Sequence, residues 1–281
     1  MKLATLRNPD GTTEAVRVDG PTATRLGALD VGSLLAQPDW RATAAAAAGE
    51  AVDLSVAAYA PVVTHPGKVV CVGLNYRNHI LEMGRDLPQY PTLFSKYADT
   101  LIGAHDDIQR PVETDAFDWE CELAIVIGAP VRRATTAEAE SAIAGFATLN
   151  DITARDWQFR TKEWLQGKNW EATTPVGPWL VTPDELPGGV RPTLAIRTEI
   201  DGEVVQEDTT GDLLFDPVAL VEYVSTMITL RPGDLIATGT PGGVGHARKP
   251  ARYLTAGQKV VTEVEGLGRC ENVVVDDGPR R

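Results

Sequence analysis

Residues 118–128 read Asp118-Trp119-Glu120-Cys121-Glu122-Leu123-Ala124-Ile125-Val126-Ile127-Gly128. Side chains of an extended strand alternate between faces, so Glu120, Glu122, Ala124 and Val126 share one face and Cys121, Leu123, Ile125 and Ile127 the other. The second half is apolar on both faces, which predicts a strand running into the core. Its entry places two carboxylates on one face. They would repel each other and lose hydration there, and a cation bound between them removes both penalties. An oxygen-only donor set favours Mg²⁺, Mn²⁺ or Ca²⁺ over zinc. For the pair alone, the competing reading is a solvated strand end with two surface glutamates.

The segment 144–158 shifts that balance. An apolar approach, Ala144–Leu149, delivers Asn150-Asp151-Ile152-Thr153-Ala154-Arg155-Asp156-Trp157-Gln158. Asp151 can complete a three-carboxylate metal shell with Glu120 and Glu122. Arg155 and Gln158 follow it at spacings that share a helical face if a turn forms there. Asp151 could instead be a helix N-cap, and the two roles are compatible.

Outward from these segments, apolar runs at Val69–Val72, Trp179–Val181, Leu194–Glu199 and Val260–Val264 alternate with Gly, Pro and Asp, as strands separated by turns do. Helices are predicted at 136–145, where Thr136 with Glu138 or Glu140 suggests a capping box, and at 216–228. The latter has apolar Val218, Val221, Val224 and Ile228 at helical spacing and Pro217 in its first turn. This pattern predicts a strand-rich α+β chain, a mixed β-sandwich or barrel-like roll, and not a doubly wound α/β fold. Residues 1–66 differ. Lys2–Arg7 and Thr13–Val18 flank Asn8-Pro9-Asp10-Gly11 as a β-hairpin, and Ala-rich 41–48 reads as one short helix. Pro61 and His65-Pro66 mark a boundary, so a small N-terminal α/β domain (1–66) precedes the main domain (67–281).

Composition narrows the function. With 43% hydrophobic and 23% charged residues, a packed core is expected. The net charge of −13 argues against nucleic-acid partners and anionic membrane surfaces. Cys71, Cys121 and Cys270 form no CxxC pair, so neither a disulfide framework nor a zinc site is expected. The first residues lack the apolar core of a signal peptide, and no run of about 18 apolar residues spans a bilayer; a cytoplasmic location is the expectation. Gly242, Gly243 and Gly245 lack the Lys-Ser/Thr ending of a phosphate loop, which excludes that form of nucleotide binding.

Six ordered segments resemble the fumarylacetoacetate hydrolase family: GLNYRNHILEMG (73–84), PTLFSKYADTLIG (91–103), DWECELAIVIG (118–128), NDITARDWQ (150–158), GKNWEATTPVGPWLVT (167–182) and LRPGDLIATGTPGGVG (230–245). The resemblance implies a mixed β-sandwich roll, a divalent metal and a homodimer or higher homo-oligomer. It assigns Glu120, Glu122 and Asp151 to the metal. It places Arg155, Gln158 and Lys168 around the substrate carbonyl and oxyanion, and Thr240 at the substrate carboxylate. His79 and Glu82 match an HxxE pair on a segment that closes over the site. The 207–212 segment departs from the asparagine-threonine pair of many members, and 246–253 is idiosyncratic.

The implied chemistry is hydrolysis of a C–C bond in an acylpyruvate or fumarylpyruvate, a small diketo acid of aromatic catabolism. His79 would act as general base toward water, with Glu82 fixing its tautomer, and Lys168, Arg155 and Gln158 would stabilise the developing oxyanion. The alternative keeps the site but decarboxylates a β-keto acid such as oxaloacetate or isomerises a hydroxymuconate-type dioate. A non-catalytic ligand-binding homologue is the third reading. Lys96 either contacts substrate or snorkels its stem along Leu93-Phe94. His65, His105 and His246 are expected to be structural.

Overall fold

In a computed structural model of the chain, the Cys121–Ile127 strand is buried at every position and lies inside a broad mixed sheet. The described residues are 1–49, 51–82, 84 and 86–278, and the side chain of Glu82 lies outside them. Among them the larger sheet runs, edge to edge, through Ala51–Asp53, Thr22–Arg25, Thr13–Asp19, Lys2–Arg7, Thr174–Val181, Ile143–Asn150, Cys121–Ile127, Leu235–Ala237, Val69–Gly73 and Thr92–Lys96. Most neighbours are antiparallel; Leu235–Ala237 and Val69–Gly73 run parallel. A second sheet orders Glu203–Thr209, Ala195–Ile200, Lys259–Val264, Gly268–Asp276 and Ile108–Arg110. The architecture is the expected strand-rich α+β sandwich roll.

Alternation along the central strand sorts two cores. Cys121, Leu123, Ile125 and Ile127 pack with Ile196 and Val264 of the second sheet and with Val218, Val221 and Val224 of the Pro217–Met227 helix. Ala124 and Val126 face the opposite core, with Val31, Leu34, Leu35 and Trp40 from the first residues of the chain. Each such Val, Leu or Ile contributes about 1.5–3 kcal/mol when buried. With both faces packed, the strand direction is fixed, and its polar start emerges at one place.

The N-terminal hairpin forms as expected, Lys2–Arg7 against Thr13–Asp19. Lys2 and Leu3 then pair with Val181 and Leu180, so the hairpin continues the main sheet. Asp216 caps its helix by accepting from the Val218 and Ala219 amides, with Pro217 in the first turn. The other predicted helix needs correction. Its N-cap is Thr135, boxed with Glu138, and it ends at Ala142, not Gly145. Ile143–Asn150 belongs to the sheet, where Ile143 pairs with Ile127; strand pairing overrides the helical propensity of Ala144.

The helix carrying His79, Arg77–Glu82, is docked by side-chain bonds to backbone. Arg77 donates to the carbonyls of Asp212, Leu213 and Leu214. Just before the helix, Asn75 donates to Thr238 and Phe215 carbonyls and accepts from the Phe215 amide. The Asn78 amide reaches the Asp212 carboxylate. Much of the GLNYRNH segment therefore serves to hold this helix over the sheet.

Candidate active site

Glu120, Glu122 and Asp151 converge where the central strand enters the sheet. All three are buried, and one ligand oxygen from each lies within 4.8 Å of the others. Backbone pairing sets two of them: the Asp151 amide donates to the Glu120 carbonyl at 2.8 Å. The Asn150 side chain accepts from the Glu120 amide at 3.0 Å.

Cations close around the triad. Lys168 Nζ bridges Glu120 Oε2 and Asp151 Oδ2, both at 2.8 Å. Arg155 Nη1 lies 2.6 Å from Glu120 Oε1, and its Nε donates to Asp118 at 2.7 Å. Lys96 Nζ donates to Asp151 Oδ1 at 2.7 Å and to the Ile152 carbonyl. Burial would depress the Lys168 ammonium, but Asp151 and Glu120 outweigh it and hold its pKa well above the usual lysine value. Asp151 shows the converse balance: burial raises its carboxyl, and Lys168 and Lys96 bring it below the usual range.

Glu122 stands apart. Burial, reinforced by Asp151 and Glu120, pushes its carboxyl well above the ordinary value, and the Gly239 amide at 2.7 Å is its hydrogen-bond donor. Around it Asp118, Glu120 and Asp151 are ion-paired with Lys96, Arg155 and Lys168, three carboxylates to three cations. Glu122 makes none of these ion pairs. A hard divalent cation beside it would favour its ionised form and suits the all-oxygen donor set.

A cavity of about 370 Å³ opens above the triad, and its lining includes Glu120, Lys168, Arg155, Gln158, Thr240 and His79. The short helices Arg155–Gln158 and Leu165–Lys168 form one wall. They touch because residue 167 is glycine: a Cβ there would lie 2.5 Å from the Gln158 Cβ. Gln158 accepts from Arg155 Nη1 at 3.0 Å. That leaves Arg155 Nη2, which is buried without a hydrogen-bond partner.

His79 lies on the lining, as expected. The expected contribution of the Glu82 side chain falls outside the described residues. Lys96 does not reach the cavity lining; its ammonium is fully buried beneath Asp151. His246, expected to be structural, lines the cavity.

Three further residues carry the site without an obvious sequence signal. Asp118, fully buried, ties Arg155 to the amides of Gly245 and His246. Gln206 donates to the Thr240 hydroxyl at 2.9 Å while accepting from the Cys121 amide and Thr198. Asp208 comes within electrostatic reach of His79. The signal for Asp118 and Gln206 was a polar residue inside an apolar strand context, which sequence alone reads as easily as an edge.

The model of the fumarylacetoacetate (FAA) hydrolase C-terminal domain matches residues 68–275. Among curated relatives, oxaloacetate tautomerase Fahd2a, mitochondrial, from Rattus norvegicus is 42% identical over 214 residues, covering 76% of this chain and 68% of the relative. Two solved structures align over nearly the whole chain. The 5-carboxymethyl-2-hydroxymuconate delta-isomerase of Mycobacterium smegmatis is 33% identical with a TM-score of 0.80, covering 99% of this chain and 100% of that one. The fumarylacetoacetate hydrolase of Exiguobacterium antarcticum is 31% identical with a TM-score of 0.83, covering 98% and 99%.

Proposed function

Because the chain belongs to the fumarylacetoacetate hydrolase family, we propose that it interconverts the keto and enol forms of an oxaloacetate-type β-keto acid. The observation that carries this reading is the joint lining of one cavity by Glu120 of the carboxylate site, Arg155 with its unpartnered Nη2, Lys168 and His79. Glu120, Glu122 and Asp151 would hold Mg²⁺, with Mn²⁺ or Ca²⁺ as substitutes of the same hard class. Such an ion, when bound, acts as a Lewis acid that acidifies the carbon next to the 2-oxo group.

The chain's own residues do the rest. Arg155 Nη2 donates to the 2-oxo oxygen as it gains negative charge, and Lys168 adds a fixed positive charge below, inside a dry wall where both act strongly. Thr240 Oγ1 accepts from Gln206, so its own proton is free for the adjacent carboxylate. His79 takes the proton from the neighbouring carbon, and its imidazolium returns one to the oxygen; the enol forms with no net proton change. The reverse sequence gives the keto form.

The sequence alternative kept this site for decarboxylation of a β-keto acid or isomerisation of a hydroxymuconate-type dioate; keto–enol transfer is a different reaction that shares its enolate. The relative named as an oxaloacetate tautomerase and the isomerase neighbour support proton transfer without a water nucleophile. Acylpyruvate hydrolysis, with His79 activating water, stands second on the likeness to a fumarylacetoacetate hydrolase. We further propose 67–281 as the catalytic unit, with 1–66 as its accessory, and a homodimer in solution. Among the described residues no helix is long and apolar enough to cross a membrane.

The deciding assay follows ketonisation of enol-oxaloacetate by its ultraviolet absorbance, with Mg²⁺ and with EDTA, beside acylpyruvate cleavage. Metal-dependent acceleration over buffer is expected. A rate no faster than buffer, with acylpyruvate cleaved, would put the hydrolase reading first.

A further inference from the structure

We propose that Asp208 acts through His79 as its positioning residue, a carboxylate that favours the imidazolium formed during proton transfer; this rests on the reading of His79 as proton carrier. The strand Glu203–Thr209 carries it, within the 207–212 segment where this chain departs from many family members. Gln206 is buried and Asp208 half-buried, whereas Glu207 and Thr209 are exposed, so Gln206 and Asp208 share the inward face. Gln206 stands behind Thr240, a residue of the cavity lining, and donates to its hydroxyl at 2.9 Å. Asp208 is the next inward side chain, on the side of the helix Arg77–Glu82. Neither Gln206 nor Asp208 belongs to the lining, but Thr240 and His79 do.

The chain beyond the strand fixes that placement. Asp212 Oδ2 accepts from the Asn78 amide at 2.8 Å, Tyr76 pairs with Leu213, and Arg77 donates to the carbonyls of 212, 213 and 214. Asp208 is thus held between two anchors, one at Thr240 and one at the residue before His79. Its Oδ1 accepts from the Thr209 amide at 2.7 Å, which restrains the carboxylate. Burial raises the Asp208 carboxyl, and the charge of His79 works against that rise; the same attraction must favour the imidazolium. The groups facing His79 from the cavity have the opposite net sign. Arg155 and Lys168 line it and keep their charge, Glu120 is paired with both, and His246 is the remaining titratable group of the lining. Arg77 and Glu82 share its helix, Tyr76 precedes it, and Asp212 flanks it. Cations disfavour a nearby imidazolium, and Asp208 offsets them from outside the cavity, where it does not compete for substrate.

An NMR titration of the His79 ring signal, in Mg²⁺, reads this pair without turnover. The signal is assigned among the four histidines by its loss in His79→Gln. Asp208→Asn keeps an acceptor for the Thr209 amide but removes the charge, and the His79 midpoint should fall by about half a pH unit or more. Glu207→Gln removes a charge from the exposed face of the same strand, and should move the midpoint by less than about 0.2 unit because solvent screens it. Asp208→Glu should keep most of the intact value, as a purely structural role for Asp208 would not require. In the tautomerase assay the base must be neutral, so the rate falls as pH drops through the His79 midpoint. Asp208→Asn should therefore carry that limb to lower pH and, with a weaker base, lower kcat on the plateau while KM changes little. An unmoved His79 midpoint in Asp208→Asn, or an equal shift in Glu207→Gln, would overturn the proposal. If the midpoint shifts as stated while the intact protein does not turn over enol-oxaloacetate, the tautomerase reading falls and the Asp208–His79 pair stands.

Discussion

The base and the mouth of the cavity are built by opposite means. At the base, Glu120, Asp151, Lys96, Lys168 and Arg155 are joined through charge-assisted contacts of 2.6–2.8 Å, and Glu122 is buried beside them. At the mouth, His246 and Phe159 are exposed, and His79 is half-buried on a six-residue helix. A buried ion network is costly to alter, because removing one partner strands another charge in a dry interior. An exposed rim can change residue by residue at little cost in stability. On the proposed function, the base would set the reaction type, and the mouth which acid enters.

Substitutions at the two places should separate accordingly. Glu122→Ala removes an oxygen of the proposed metal site and is expected to lower Mg²⁺-dependent turnover by on the order of 10³-fold, beyond the 10–100-fold typical of outer positions. A titration of rate against Mg²⁺ reads this; an unchanged metal requirement would break the assignment of the base. His79→Ala should cost about 10²–10⁴-fold in kcat, the usual range for lost acid–base catalysis. Its apparent Mg²⁺ affinity should stay at the level of the intact protein. A parallel loss of metal affinity would mean that base and mouth are not separate.

Lys96→Met probes the base from beneath. The methionine keeps the stem volume but withdraws the donor from Asp151 Oδ1 and from the Ile152 carbonyl. Urea unfolding in EDTA should show a loss of about 3–5 kcal/mol, as for a broken buried pair. At saturating Mg²⁺ the KM should move little, because the ammonium does not line the cavity. A large KM change with unaltered stability would restore Lys96 as a substrate contact.

The same division explains how much was legible beforehand. Period-two alternation put Glu120 and Glu122 on one face but left a solvated strand end open; the apolar approach to Asp151 and the family resemblance joined the three as metal candidates. The central strand, the N-terminal hairpin and the Asp216-capped helix were readable for local reasons. The turn from Ala142 into a strand at Ile143 was not, since its cause is pairing with Ile127, distant in sequence. Asp118 and Gln206 were equally opaque. Their partners, Gly245 and Thr240, lie 127 and 34 residues away. His246 looked isolated because Phe159 and Tyr253 meet it only in three dimensions.

The smallest effect tests one such long-range tie between core and cavity. Gln206 is buried, accepts from the Cys121 amide on the central strand, and donates to Thr240 Oγ1. On the proposed function, orienting that hydroxyl would leave its proton for the substrate carboxylate. Thr240→Val should then raise KM by about tenfold, one hydrogen bond to a charged group, with kcat nearly unchanged. Gln206→Leu should raise KM by a similar factor through Thr240, and should also cost about 1–3 kcal/mol in stability by orphaning the Cys121 amide. If the two residues act as one unit, the double variant will show no further rise in KM beyond either single change. Additive KM effects would mean that Gln206 supports only the strand, and that Thr240 reaches the substrate without its help.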